Sequence, residues 1–252
     1  MHLNLRHMII AGIIGMLAAG AAGAQEIRIG GGGAAISTIF SPMKEQFEKS
    51  SGDKLTLIQC LPVKAIVSLD KGEFDAMTST LPLATILEDA AKEGVTIDAA
   101  SLQQQEIGRN EVVAFVHKSN RVKKLSKAQL KKIFTGKVTN WKAFGGTDLP
   151  VIVVWGTETP GQNALFISEI LDGEKVTDKA IKATDYQSIR EMVKANPGSI
   201  GIDPRGMAIA TVGRVDIPIL TAPIILTTKG KPSAKVEKVL HFYNEEFGYF
   251  SR

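Results

Sequence analysis

Short apolar runs alternate with helix-like segments along this 252-residue chain, and this alternation constrains its fold more than any other feature. The predicted strands and the helices beside them are Glu26–Ile29 with Ser37–Lys49, Lys54–Cys60 with Val63–Asp70, Phe74–Met77 with a helix after Pro82, Val151–Trp155 with Gly161–Leu171, and Ser199–Asp203 after helix Asp185–Lys194. Repeated strand–helix–strand connections place strands parallel in one sheet, with helices against its faces. The sequence therefore predicts an α/β protein.

A helix in the middle of the chain has clear start and stop signals. Ser126 can cap its N-terminus, and the apolar residues Leu130, Ile133 and Phe134 recur at helical spacing. Gly136 supplies the left-handed residue that ends it. This helix is predicted to belong to a second α/β unit.

The end of the chain is predicted to return to the first unit. The apolar segment Val215–Leu226 contains Pro218 and Pro223. Because proline lacks the N–H that a central strand donates, we expect an edge or bent strand there. A last helix, Ser233–Glu246, has one apolar face and is predicted to dock on the first unit.

No long Pro- or Gly-rich linker divides the chain, so two lobes joined by crossing strands are predicted. The crossings are expected near Val112–Val116 and Ile200–Asp203. The predicted divisions are a signal peptide at 1–24, the first part of lobe 1 at 25–112, lobe 2 at 113–204, and a return to lobe 1 at 205–252.

The N-terminus has the pattern of a secretory signal peptide. Arg6 and His7 precede an uncharged run rich in Ile, Ala and Gly, and Ala22-Gly23-Ala24 is a small-x-small cleavage signal. A retained membrane anchor is the alternative, but the run is barely long enough to span a bilayer and its glycines weaken it as a helix. The processed chain is therefore expected in the periplasm or another extracytoplasmic space.

Charge and cysteine content disfavour several classes of protein. Loss of Arg6 would leave 29 Lys and Arg against 26 Asp and Glu, a formal charge of +3. No basic block interleaved with aromatic residues occurs, so a nucleic-acid partner is not expected. Cys60 is the only cysteine, so an internal disulfide is impossible, and a buried small hydrophobe is favoured over a redox-active thiol.

Three strand-to-helix loops are candidate anion sites, because helix N-termini and glycine-rich backbone present N–H groups to anions. The first, Gly30–Ala35, also fits the dinucleotide pattern G-x-G-x-x-A. The next strand, however, ends in Gln59-Cys60 instead of the acidic residue that would bind a ribose. We therefore expect a backbone cradle at Gly33 with a hydroxyl from Ser37 or Thr38; a tight turn without a ligand is the alternative.

The second and third loops are rich in groups that form hydrogen bonds. Hydroxyls cluster at Thr78-Ser79-Thr80, although such residues also favour helix caps in any protein. Amide side chains in the third loop could bind a carboxylate or amide ligand. The candidate ligand-binding residues of the third loop are Thr157, Thr159, Gly161, Gln162 and Asn163.

The sequence gives little support for an enzyme. The pattern Ser-x-x-Lys occurs at Ser41–Lys44, Ser51–Lys54 and Ser68–Lys71, but no Ser-Asp-Asn partner accompanies it, so chance explains it. After signal removal only His117 and His241 remain, far apart in sequence and without carboxylates at metal-ligand spacing. We expect no catalytic residues, no metal and no cofactor.

Three segments together closely resemble the phosphate-type extracytoplasmic solute-binding proteins of ABC transporters: Ile107–Val113, Leu130–Trp141 and Val151–Gly161. The resemblance covers roughly 26–204. It implies a two-lobed type II periplasmic-binding-protein fold that closes over its ligand, with phosphate as the solute and an ABC permease as the membrane partner. It also implies that the second and third loops lie on the ligand.

The chain departs from this family at several ligand positions. The third loop of the phosphate binders typically reads Arg-Ser-Asp-Gly-Ser-Gly-Thr-Thr, whereas here Gly156 stands at the arginine position and Pro160, Gln162 and Asn163 at three others. The glycine- and serine-rich segment after the second strand is replaced by Cys60–Lys64. Thr78-Ser79-Thr80 stands where the third-strand motif of the family ends in an acidic residue.

These departures leave the ligand open. Lys64, at a helix start, or Arg109, near the predicted hinge, could replace the lost positive charge, or both could be ordinary surface cations. The sequence predicts a binding protein for a small anion, phosphate by resemblance. The alternatives are a periplasmic sensor or interaction module that binds another oxyanion, a small carboxylate or no phosphate at all, and a hydrolase using one of the serines.

Overall fold

The computed structural model describes residues 23–205 and 211–247, so the predicted signal peptide lies almost wholly outside the described residues. Eight strands form one sheet in the order β2-β1-β3-β8-β4-β7-β5-β6. The strands are β1 Glu26–Gly31, β2 Lys54–Gln59, β3 Ala76–Ser79, β4 Leu102–Val116, β5 Ile152–Gly156, β6 Ile181–Ala183, β7 Ser199–Pro204 and β8 Gly213–Lys229. The α/β prediction is confirmed.

Helices lie between most of these strands. They are α1 Gly33–Ala35, α2 Ser41–Ser51, α3 Pro62–Asp70, α4 Leu83–Lys92, α5 Lys127–Phe134, α6 Pro160–Glu169, α7 Tyr186–Ala195 and α8 Ala234–Phe242. A π-helical turn, Ile36–Phe40, joins α1 to α2 without leaving helical geometry, so one helix runs from Gly33 to Ser51. Within the described residues, no helix is long and apolar enough to cross a membrane.

The first lobe is built around the parallel strands β2, β1 and β3. Ile27 and Ile29 of β1 are fully buried and pack against Phe40 and Met43 of the long helix. Helix α8 contributes Val236 to the same core, with Val239, Leu240 and Tyr243 beside it. The prediction that the last helix docks on the first unit is therefore confirmed.

The second lobe has its own core around β7, β5 and helices α5 to α7. The Ser126 side chain accepts a hydrogen bond from the Gln129 N–H at the start of α5, and Gly136 has φ 75° just beyond its end. Both predicted helix signals are confirmed. Trp141 is buried, and its Nε1 donates a 2.8 Å hydrogen bond to the Gly198 carbonyl, which ties the turn after α5 to the strand β7.

The two strands that cross between the lobes are β4 and β8. They pair antiparallel from Leu102 opposite Lys229 to Val116 opposite Gly213, and so contribute to both lobes. Ile200–Asp203 belong to β7, which pairs with the second-lobe end of β4 and with β5. The two segments predicted to cross, Val112–Val116 and Ile200–Asp203, therefore lie side by side, and the expected positions of the crossings stay a prediction.

Strand β8 is bent, as its prolines predicted, but it is an edge strand over only part of its length. Between Leu220 and Val215 four of its residues stand opposite a single residue of β4, and Pro218 lies in this irregular stretch. Pro223 lies beyond the end of the pairing between β8 and β3. On the β3 side, therefore, no described strand requires a hydrogen bond from the N–H that proline lacks. At Ile225–Thr227, by contrast, β8 is central between β3 and β4.

Four further differences concern element boundaries. The first helix begins at Gly33 instead of Ser37, β3 lies two residues later than predicted, and β4 begins ten residues before its apolar run. The short strand β6 was not predicted at all. The outer residues of β4 are largely exposed and polar, so no apolar alternation marks them as a strand, and β6, with three residues, is too short for a pattern to mark it. The lobe boundaries at 112/113 and 204/205 stay a prediction.

Removal of one aromatic ring should test the core of the second lobe. Phe134 is fully buried, and its ring centroid lies 4.6 Å from that of Phe166 and 6.0 Å from that of Trp155. We expect Phe134→Ala to lower the free energy of unfolding by about 3–5 kcal/mol, because the cavity cannot collapse fully. Urea denaturation followed by tryptophan fluorescence would measure the change.

The matched control is Ile219→Ala, because Ile219 is 83% exposed. We expect that substitution to change the free energy of unfolding by less than about 0.5 kcal/mol. Equal effects of the two substitutions would contradict the described core.

Candidate functional site

A cleft of about 370 Å³, including space open to solvent, lies between the two lobes. Its walls come from loops that follow the carboxyl ends of strands, where ligands bind in open α/β sheets. The first-lobe wall contains Gly32, Gly33, Ala34, Ala35, Cys60, Pro62, Ser79 and Thr80, and the second-lobe wall contains Glu158, Thr159, Pro160, Gly161 and Tyr186. The cleft therefore contains parts of all three loops that the sequence singled out.

Three helices begin at the walls of this cleft without a side-chain cap: the long helix and α3 on the first lobe, and α6 on the second. The long helix starts after Gly32 and α6 starts after Thr159, and neither of these residues caps its helix through its side chain. The first N–H groups of a helix have no acceptor inside it and carry partial positive charge. In α5 and α7, by contrast, capping boxes occupy such groups. The uncapped N–H groups at the cleft are available to an anion.

The lobes touch across the cleft at Thr80 and Gly161. A Cβ added to Gly161 would collide with the Oγ1 atom of Thr80, which stands on the opposite lobe. With Thr80 in its present rotamer, only a residue without a side chain fits this approach. The structure is therefore a closed form of the cleft, and Gly161 permits the closure.

Of the predicted first-lobe residues, Gly33, Ser79 and Thr80 line the cleft. Ser37 is not among the lining residues, and Thr38 donates a 2.6 Å hydrogen bond back to the Ala34 carbonyl in its own helix. Ser79 Oγ accepts a hydrogen bond from the Leu81 N–H, so this hydroxyl also shapes the loop.

Thr78 lies just behind this wall and is fully buried. Its Oγ1 is without a hydrogen-bond partner in the part of the chain that the structure describes. Its carbonyl accepts a 3.0 Å hydrogen bond from the Gly32 N–H. Thr78 thus fixes the start of the glycine-rich cradle through its backbone.

Of the predicted third-loop residues, Thr159 and Gly161 line the cleft and the others support the loop. Asn163 Nδ2 donates a 2.8 Å hydrogen bond to the Gly156 carbonyl. Asn163 Oδ1 accepts a 3.0 Å hydrogen bond from the Thr159 hydroxyl. Gln162 Nε2 donates to the Ile202 carbonyl at 3.2 Å. Thr157 is exposed, and its hydroxyl donates to the Ala183 carbonyl.

Neither candidate cation, Lys64 or Arg109, is among the lining residues. Arg109 forms an ion pair with Glu106 at 3.2 Å and also reaches the Thr221 hydroxyl. Lys64 lies in the first turn of α3 and is exposed. Burial raises the pKa of the Cys60 thiol, and the Lys64 charge opposes that effect, so the ammonium is close enough to act on the cleft wall.

A profile of the PBP superfamily domain matches residues 18–239 of the chain. The chain belongs to the PBP superfamily. It is 34% identical over 111 residues to the phosphate-binding protein PstS of Bacillus subtilis, a match that covers 44% of this chain and 37% of that protein. The match thus spans well under half the length of that relative.

Several solved structures share the fold. One, from Clostridium perfringens, is described as a phosphate ABC transporter substrate-binding protein with bound phosphate; it is 21% identical, with a TM-score of 0.74 over 88% of this chain and 94% of its own. The effector-binding domain of QuiR, solved in complex with shikimate, is 14% identical, with a TM-score of 0.62 over 89% of this chain and 99% of its own. These similarities confirm the two-lobed fold predicted from the sequence. The relatives of phosphate-binding type are solute-binding proteins, not enzymes.

Sequence reasoning missed several residues in the cleft of this superfamily member. Cys60 is half-buried and packs against a first-lobe core, as a small hydrophobe would, but it also lines the wall, and Pro62, Glu158 and Tyr186 were not singled out. Glu158 and Pro62 could have been found, because each lies in a strand-to-helix loop. Tyr186 comes from α7, and only the folded sheet brings it beside the third loop.

A buried ion pair between Arg190 and Asp203 lies near Tyr186, and neither of its residues lines the cleft. Asp203 is fully buried, and its Oδ2 accepts a 3.2 Å hydrogen bond from Arg190 Nη1. Among the described residues its Oδ1 has no hydrogen-bond partner. Burial raises the pKa of Asp203 to about 7, although Arg190 opposes this. Burial also raises the pKa of Tyr186, and the negative charge of Asp203 adds to that effect.

Substitution of Gly161 should prevent the closed form. We expect Gly161→Ala to push Thr80 and its lobe away, so that small-angle scattering gives a larger radius of gyration than for the wild type. Gly213→Ala is the control, because a Cβ there meets only ordinary van der Waals neighbours at 3.4 Å or more. An unchanged scattering profile for Gly161→Ala would show that the lobes tolerate a side chain at this contact.

Substitution of Asp203 should change how stability depends on pH. Its folded pKa of about 7 exceeds the ordinary value of about 3.9, so between these values the native state holds a proton that the unfolded state has lost. The wild-type carboxyl therefore costs stability increasingly as pH rises through this window.

We expect Asp203→Asn to gain stability relative to the wild type over this window, in urea denaturation at a series of pH values. The exposed Asp178→Asn should show no such gain. A difference between Asp203→Asn and wild type that does not vary with pH would contradict the raised pKa.

Proposed function

We propose that this protein is an extracytoplasmic solute-binding protein that captures a small anion, phosphate by resemblance, for an ABC transporter. The observation that carries the proposal is the pair of uncapped helix N-termini on opposite walls of a cleft between two lobes. Helix N-termini bind anions through free N–H groups and the helix dipole. The similarity to PstS of Bacillus subtilis and to the Clostridium perfringens protein supports phosphate as the first solute to test.

Binding is expected to favour the closed form. The N–H groups of the two helices, together with the hydroxyls of Ser79, Thr80 and Thr159, surround the cleft from both lobes. A solute that contacts both walls stabilises the form in which they are close, which is how hinge motion reports occupancy. The closed surface would then be recognised by a membrane permease or receptor.

The proposal also includes the signal peptide and the division of the chain into lobes. Residues 1–24 are removed during export, so that the processed chain acts outside the cytoplasm. The first lobe is formed by 25–112 and the end of the chain, and the second lobe by 113–204. We extend the second lobe to Leu220, because Val215 and Leu220 pack with Ala114 and Val116 in its core.

A sensor or interaction module that binds another oxyanion or a small carboxylate is the second candidate function. Specific observations favour it: the lining residues of the cleft include no Lys or Arg, and Gly156 stands at the arginine position of the phosphate-type loop. The QuiR domain, with shikimate, has the same fold, so the fold by itself does not fix the solute.

A ligand panel on the exported, processed protein tests the proposal. A solute present at a thousand times its dissociation constant should add about 4 kcal/mol to the free energy of unfolding, which appears as a higher melting temperature. Phosphate, sulfate, molybdate and small carboxylates form the panel. A response to phosphate supports the transport proposal, a response only to another oxyanion or a carboxylate supports the sensor, and no response to any anion contradicts anion capture.

Two threonines of one loop provide a matched comparison within that panel. Thr159→Ala should weaken the binding of the active anion, because Thr159 lines the cleft. Thr157→Ala should leave it nearly unchanged, because the Thr157 hydroxyl is exposed and donates to the Ala183 carbonyl. The reverse result would place the anion outside the described cleft.

A further inference from the structure

The charged groups at the cleft have opposite signs on opposite lobes. On the first lobe, Lys64 is near enough to act on the thiol of Cys60, which lines the wall. On the second lobe, Glu158 is the one Asp, Glu, Lys or Arg side chain among the described lining residues. A solute in the cleft therefore meets the start of the long helix on one side, and the start of α6 together with the Glu158 carboxylate on the other.

The Glu158 carboxylate is free to accept hydrogen bonds from a solute. Among residues 23–205 and 211–247, no ion pair or side-chain hydrogen bond involves it. Its backbone is fixed, because the Glu158 N–H donates a 2.8 Å hydrogen bond to the Thr184 carbonyl. Gly156, two positions before Glu158, has no positive charge that could neutralise the Glu158 carboxylate.

A fully deprotonated oxyanion does not match this arrangement. Its oxygens would satisfy the N–H groups of the long helix and α6, but those nearest Glu158 would face a carboxylate, which only accepts hydrogen bonds. A group that donates hydrogen bonds and carries positive charge would be stabilised there. The lining residues also include Ala34, Ala35 and Pro160, which suit a short apolar connection.

We infer that the solute is a small zwitterion, with an acidic group held by the helix N-termini and an ammonium group held by Glu158. This inference rests on the proposed function, since it assigns the chemical class of the solute to the same cleft. Glu158 then determines specificity: it favours amino-substituted acids and disfavours simple oxyanions. Because Glu158 is exposed at the rim, water weakens the interaction, and we expect a factor of about ten in affinity.

Two pairs of probes isolate the ammonium group. Calorimetry on the exported, processed protein at neutral pH would compare aminomethylphosphonate with methylphosphonate, and free glycine with acetate. We expect the amino-substituted member of at least one pair to bind about ten times more tightly than its partner. Glu158→Gln should abolish that difference and leave the affinity for the partner without the amino group unchanged or higher.

Glu169→Gln provides the control variant, because Glu169 is an exposed carboxylate at the far end of α6 that does not line the cleft. It should retain the difference between the paired probes. Retention of the difference in Glu158→Gln would overturn the inference, and so would its loss in Glu169→Gln.

The outcomes separate this inference from the proposed function. If inorganic phosphate or sulfate binds more tightly than both amino-substituted probes, the zwitterion is wrong and anion capture stands. If an amino-substituted probe binds more tightly than the other probes and Glu158→Gln removes that difference in affinity, both anion capture and the zwitterionic solute are supported. If neither the simple anions nor the paired probes bind, anion capture fails and the inference fails with it.

Discussion

The antiparallel pairing of β4 with β8 is the interaction on which the rest of the structure depends. These strands belong to both lobes, so one ladder of hydrogen bonds fixes how the two cores lie relative to each other. The ladder is irregular between Leu220 and Val215, where β8 leaves regular pairing. A continuous but bent connection lets loops from both lobes meet at a single cleft.

The cleft has the chemistry of partial charges more than of formal ones. Its described walls contain three uncapped helix N-termini and four hydroxyls, whereas the nearest candidate cations lie outside the lining residues. Partial charges of helix ends act within about one turn, so they select a ligand by its position more than by long-range attraction. The single carboxylate, Glu158, therefore has a large influence on which solutes fit.

Local signals predicted local structure well, and the failures came from long-range pairing. The Ser126 cap and the Gly136 stop were evident because each acts within one helical turn. The central part of β8 was missed because its prolines argued against a central strand. Only the short length of β3 shows why Pro223 is tolerated, since the pairing of β3 with β8 ends before that residue.

The cleft followed the same division between local and long-range information. Gly33, Ser79 and Thr159 could be singled out as loop residues that begin or precede helices, whereas Tyr186 is brought to the cleft by the packing of α7. The third loop packs closely around Gly156, which stands at the arginine position of the phosphate-type loop. A Cβ on Gly156 would meet Thr159 Oγ1 at 2.5 Å and Ile189 Cδ1 at 2.9 Å, and the Gly156 carbonyl accepts a hydrogen bond from Asn163. An arginine could not be restored there by a single substitution without displacing Thr159, which lines the cleft.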